Sequence, residues 1–85
     1  MGQLQSLPNI GPELERQLNR AGIDTAKQLK EIGSREAWLR IRAFDPSACL
    51  MRLSALEGAL QGVRWHDLAP LQKAELKEFY RQHRG

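Results

Sequence analysis

Cysteine, histidine and aromatic side chains are scarce in this chain, and neither charge sign dominates it. A single cysteine, Cys49, excludes an internal disulfide. With His66 and His83 as the other soft donors there is no close ligand pair, so no metal site is expected and no cofactor is implied. Aromatic residues make up 6% of the chain and only two are phenylalanine. The core must therefore rest on Leu, Ile and Ala, which favours helix over sheet. No apolar run approaches the 18 or so residues of a membrane span and no leader-like segment opens the chain, so no membrane association and a cytoplasmic location are expected. Thirteen basic against ten acidic residues leave a net charge of +3, too small to mark a nucleic-acid protein by electrostatics alone. The excess sits late: Met1 to Gly33 is balanced at four against four, whereas Arg64 to Gly85 carries five basic against three acidic residues.

What is present reads as one small all-helical domain of about five helices, spanning residues 7–83 after a polar tail or short lead-in at 1–6. Pro12 stands where the first helical position tolerates a missing amide, and Leu14 and Leu18 give the first helix an inner stripe with Ala21 behind them. Glu13, Glu15, Arg16 and Arg20 are expected outside, and Gly22 ends the helix. Asp24 or Thr25 caps a second helix bearing Ala26, Leu29 and Ile32, which Gly33 stops. Ser34 is the expected cap of a third, placing Ala37, Trp38, Ile41 and Phe44 inward. Asp45-Pro46-Ser47 reads as a break that caps the fourth and central helix, with Leu50, Leu53, Leu56, Leu60 and Val63 as its stripe and Gly62 as its close. Gly58, Ala55 and Ala59 leave small surfaces for neighbours. Pro70 opens a last helix carrying Leu71, Ala74, Leu76, Phe79 and Tyr80, its end expected to fray from Arg81.

The segment Leu7-Pro8-Asn9-Ile10-Gly11-Pro12, followed by Leu14, Leu18, Ala21-Gly22-Ile23 and Leu29, resembles a helix-hairpin-helix unit, a motif of many DNA repair and replication proteins. The wider chain, from Leu7 to about Tyr80, is similar to the C-terminal domain of the TfoX/Sxy family of competence regulators. That resemblance rests also on Ala37 to Arg42, Asp45 to Leu50, Leu56 to Ala59 and Gly62 to Leu68. It implies a helical regulatory domain that follows a separate N-terminal domain in longer members. The family is associated with switching on genes for DNA uptake together with a cyclic-AMP receptor type transcription factor. Such a transcription factor, or a separate TfoX N-terminal-type domain, is thus an implied partner.

Several residues are candidates for binding. In DNA-binding hairpins a glycine-hydrophobic-glycine turn offers backbone amides to a phosphate, which assigns Asn9, Ile10 and Gly11 as phosphate contacts. Asn9 in place of the first glycine, with Glu13 and Glu15 in the following turn, weakens that reading and favours a purely structural turn. Lys73, Lys77, Arg81 and Arg84 recur at helical spacing and form a basic face for DNA, or a solvated surface, with Glu75 and Glu78 off the stripe. Arg35, Arg40 and Arg42, with Arg52 nearby and with Trp65 and His66, are candidates for a protein partner. Trp65-His66-Asp67 could orient an imidazole but lacks a nucleophile turn, and its expected role is structural, with Asp67 capping the last helix. Cys49 is expected to be buried as a small apolar residue and Trp38 to pack inside. The expected function is a non-catalytic regulatory module acting through protein and weak DNA contacts. The alternatives are a sequence-independent DNA-binding hairpin module and a homo-oligomer, with monomer and homodimer both open.

Overall fold

The structure is a computed structural model that describes residues 3–83. Five α-helices follow one another: α1 (Pro12–Arg20), α2 (Ala26–Ile32), α3 (Ser34–Phe44), α4 (Leu50–Gln61) and α5 (Pro70–His83). Two short 3₁₀ turns, Gln3–Ser6 and Trp65–Asp67, precede α1 and α5, and the described residues contain no strand. As expected, α4 is the hub, packing on α3, on α5 and on the Trp65–Asp67 turn. The helices α1 and α2 lean on α3 more than on one another.

Local chemistry explains most boundaries. Thr25 caps α2 in a reciprocal box: its hydroxyl accepts from the Gln28 amide at 3.1 Å while Gln28 Oε1 accepts from the Thr25 amide at 3.1 Å. A glycine with positive φ stops each of α1 and α4: Gly22 at 87° follows the Ala21 cap of α1, and Gly62 at 76° is itself the cap of α4. In each case the next residue but one from the last turn folds back, Ile23 N–H to Leu18 O and Val63 N–H to Gly58 O, which satisfies carbonyls the helix leaves free.

Leu18, Ile23, Leu29, Ile41, Leu53, Leu56 and Leu76 are fully covered, and Trp38 is the largest side chain among them. The Trp38 indole donates to Cys49 O at 3.2 Å and meets Phe79 and Tyr80 edge-on at 6.0 and 5.7 Å. Leu4 from the lead-in is also fully buried, so this segment adds to the core.

Several local expectations need correction. Ser34 does not cap α3; Gly33 holds that position and the Ser34 hydroxyl donates to Glu57 Oε1 on α4, tying the two helices together. The Asp45–Ser47 break closes a turn of its own, with Ser47 N–H on Asp45 Oδ1 and Ala48 N–H on Asp45 O. Consequently α4 starts only at Leu50, and Cys49, expected inside, becomes its exposed N-cap residue. Glu15 is buried rather than outside, its Oε1 accepting from Gln5 Nε2 at 2.6 Å. Asp67 remains in the 3₁₀ turn, three residues short of α5, and caps nothing. Finally, Leu71 is 71% exposed and Ala74 is exposed. They stand about 140° and 160° around the helix from Leu76, so when Leu76, Phe79 and Tyr80 face the bundle neither of them can.

Candidate functional site

The turn before α1 is where the sequence placed phosphate contacts. Asn9 takes up a left-handed backbone at φ 70°, the one non-glycine residue to do so among those described. Its side chain faces the other end of the domain. Asn9 Nδ2 donates to Val63 O at 3.0 Å and to Ala55 O at 3.4 Å, and Asn9 Oδ1 accepts from the Trp65 amide at 3.1 Å. The turn is thereby pinned to the end of α4 and to the Trp65–Asp67 turn, more than 50 residues away along the chain. Gly58 is what permits the approach: a Cβ there would lie 2.7 Å from Asn9 Nδ2 and 2.8 Å from Val63 O.

Ile10 is core, while Gly11 is exposed with open space where a side chain would be. No side chain caps the start of α1. Glu13 occupies its first turn and pairs with Arg16.

The basic face of α5 is only partly free. Arg81 forms a forked pair with Glu78 at 2.7 and 2.9 Å, and together with Gln82 it holds the Glu78 carboxyl below its ordinary range. Glu78, expected off the stripe, therefore neutralises one of its members. Lys73 Nζ donates to His66 O at 2.7 Å. Arg84 lies outside the described residues.

The arginines of α3 do not gather into one patch. Arg40 pairs with Glu36 at 3.3 Å, Arg42 donates to Ala48 O at 2.8 Å beneath the Trp38 ring, and Arg35 sits over the Phe79 ring. Trp65 and His66 stay at the surface, their rings edge-on at 5.4 Å, and His66 Nε2 lies 4.0 Å from Asp67 Oδ1.

Around Trp65 the surface opens into two adjoining grooves. The first, about 500 Å³, runs between the start of α1 and the first two turns of α4, with Leu14, Ala55 and Met51 as apolar walls and Arg52 and Arg64 at its edge. The second, about 370 Å³, lies between α4 and α5 and is lined by Leu50, Met51, Ser54, Trp65, Lys73 and Lys77. Met51 and Trp65 belong to both. They are 57% and 36% exposed, and together they make a continuous apolar patch between the two grooves.

Asp45 stands behind the first groove as an anchor. Hydrogen bonds from the Ser47 hydroxyl and amide, then from Arg52 at 2.8 Å and Gln17 at 2.7 Å, hold its carboxyl far below the usual carboxylate range. Arg52 is thus fixed in place. The side chains of Arg64 and Lys77 have no hydrogen-bond or ion-pair partner among the described residues.

Sequence reasoning found Trp65, Lys73 and Lys77 but scattered them over separate surfaces. It singled out neither Met51 nor Arg64 as a binding residue, and it weighed Ser54 only as a nucleophile. The available signal was Leu50, Met51 and Ser54 at i, i+1 and i+4 on the central helix, which continues the groove face off the buried stripe of Leu53 and Leu56. No helix of the described residues is long and apolar enough to cross a membrane.

Known proteins agree with this architecture. The chain is 32% identical over 77 residues to protein Sxy of Escherichia coli strain K12, a match covering 91% of this chain and 37% of Sxy. The chain therefore spans little more than a third of that relative's length. Two crystal structures from Listeria monocytogenes, one of an uncharacterized protein in a triclinic form and one of a protein of unknown function in a tetragonal form, superpose closely. The triclinic form has a TM-score of 0.94 at 52% identity, covering 96% of this chain and 93% of that one. The tetragonal form has a TM-score of 0.91 at 53% identity, covering 93% and 96% respectively. The TfoX C-terminal domain model matches residues 1–80, nearly the whole length, and this chain belongs to the TfoX C-terminal domain family.

Proposed function

We propose that the domain is a non-catalytic regulatory module, acting by protein–protein contact in the transcriptional control of DNA uptake. Family membership supports the regulatory part. The observation that carries the mode of action is the contrast between turn and groove. The Asn9 side chain is consumed by three internal hydrogen bonds, so the turn serves the fold, whereas Met51 and Trp65 are held open to solvent. Burial of such side chains supplies most of the energy in protein recognition.

A catalytic reading gains nothing from the site. His66 and Asp67 are both exposed and Cys49 and Ser54 belong to α4 and its cap, without the nucleophile, base and orienting group that covalent catalysis requires in register.

A second reading, sequence-independent contact with DNA, is favoured by one feature: the uncapped start of α1 beside Arg52 and Arg64. Affinity capture from an extract of the native host, with and without nuclease, separates the two. Partners that survive digestion are expected. Loss of every partner on digestion would replace protein recognition by DNA binding.

A further inference from the structure

The two grooves share a wall, and their chemistry is one-sided. Four cations edge them: Arg52, which Asp45 already pairs, and Arg64, Lys73 and Lys77, against the single carboxylate of Glu13 in their lining, which Arg16 matches. Arg64 borders the first groove and Lys77 the second, their side chains without partners among the described residues. Between them stand Met51 and Trp65. We infer that this double groove is the docking site for an acidic amphipathic helix of a partner protein. The inference rests on the regulatory-module reading above and gives it a surface and a ligand class.

The mode of recognition follows from what the domain can offer. With no strand among the described residues there is no sheet edge to receive an extended peptide, so side chains must do the recognising. A helix laid into a groove does this with apolar anchors spaced three or four residues apart. Two grooves on either side of the Met51–Trp65 wall accept two such anchors. Carboxylates flanking the anchors on the same helix meet Arg64 and Lys77.

The wall is also prepared for the task. The Trp65 backbone is fixed by Asn9 Oδ1, and Lys73 is fixed by His66 O. Met51 is unbranched and soft, suited to filling gaps around an incoming side chain. Little has to be ordered on binding except the outer parts of Arg64 and Lys77.

Charge complementarity excludes the simplest competitor. A second copy of this chain docking about a two-fold axis would set the patch against itself and bring Arg64 and Lys77 against cations of the same surface. A nucleic-acid backbone would use the cations but leave Met51 and Trp65 unrewarded.

The test uses the whole chain, isotopically labelled, titrated with a designed helical peptide of about 16 residues, some four turns. The probe carries leucines on one face and glutamates beside them, and a twin carries lysines for the glutamates. Amide and indole resonances report the site, the two indoles being separable because that of Trp38 is buried and bonded to Cys49 O. Saturable shifts centred on Met51 and Trp65 are expected with the acidic probe and none with the basic twin. Met51→Glu should weaken binding about tenfold, the loss of one good anchor. Arg64→Glu with Lys77→Glu should weaken it further and flatten its salt dependence.

Equal binding of both probes, shifts mapping elsewhere, or indifference to Met51→Glu would overturn the inference. So would self-association that Met51→Glu abolishes, or displacement of the probe by duplex DNA whose own affinity ignores position 51. These three substitutions are at exposed positions, and an unchanged far-ultraviolet circular dichroism spectrum verifies folding. If nuclease-resistant partners persist with the Met51→Glu chain, the groove is wrong and the regulatory module stands. If no such partner exists for the unaltered chain, the module reading itself falls.

Discussion

Replacing Gly58 by alanine tests the joint that holds the domain closed. In an ordinary helix interior this change stabilises by about 1 kcal/mol, because alanine loses less backbone freedom than glycine. Here the added Cβ would fall 2.7 Å from Asn9 Nδ2, 2.8 Å from Val63 O and 3.3 Å from Trp65 Cα. Two of those three atoms are backbone and cannot rotate away. Relief requires residues 63–65 to lift off α4, which breaks the Asn9 bonds to Val63 O and the Trp65 amide. Each is worth about 1 kcal/mol net, and overpacking of this kind costs about 1–3 kcal/mol.

After subtracting the helix gain, Gly58→Ala should destabilise by about 2 kcal/mol. For a domain of this size that lowers the melting temperature by roughly 8–16 °C. Asn9→Gly should cost a similar amount by losing the same bonds, and Asn9→Ala about 1 kcal/mol more, since alanine resists the left-handed backbone that glycine accepts. Because Gly58→Ala and Asn9→Gly break the same joint, the double variant should fall short of additivity by about 1 kcal/mol. Urea unfolding followed by circular dichroism measures all four. A Gly58→Ala chain as stable as the parent, or strict additivity of the pair, would refute the joint.

Three further outcomes follow from other parts of the fold. Thr25→Ala removes one half of the capping box and should cost about 1 kcal/mol in the same unfolding assay, with Thr25→Ser recovering most of it. Leu4→Ala should cost about 2–4 kcal/mol, since a fully buried leucine is lost from a segment that sequence alone would treat as a lead-in. Asp45→Asn should destabilise at neutral pH. The folded-state Asp45 carboxyl titrates below its unfolded value, so its contribution is complete above about pH 4 and fades as pH falls toward the folded value. The stability gap between parent and variant should accordingly narrow in acid, and a gap constant from pH 6 to about pH 2 would contradict the Ser47 and Arg52 bonding.

Helix starts and stops were largely legible because each is set by a few adjacent residues: Pro12, the Thr25–Gln28 box, Gly22 and Gly62. Where the sequence misled, a long-range contact had taken over a local group. Ser34 could cap α3, but Glu57, 23 residues on, offers its hydroxyl a better acceptor. Asp45 could cap α4, but Ser47, Arg52 and Gln17 claim its carboxylate first. Asn9, for which a structural turn was favoured over a phosphate contact, gave no sign of its partners, because nothing near it in sequence reveals Val63 and Trp65. The groove was hidden for the same reason. Met51, Arg64 and Lys77 are unremarkable one by one, and only the packing of α4 against α5 and the Trp65–Asp67 turn brings them to one surface.

Placement of a photo-activated cross-linking residue at position 51, in the living host, questions that surface directly. The control position is Lys27, which is exposed on α2 and lines neither groove. Light should join position 51, and not position 27, to a protein whose linked peptide carries aspartate or glutamate beside leucine-type residues. Adducts to nucleotides, or equal yields at the two positions, would contradict the account.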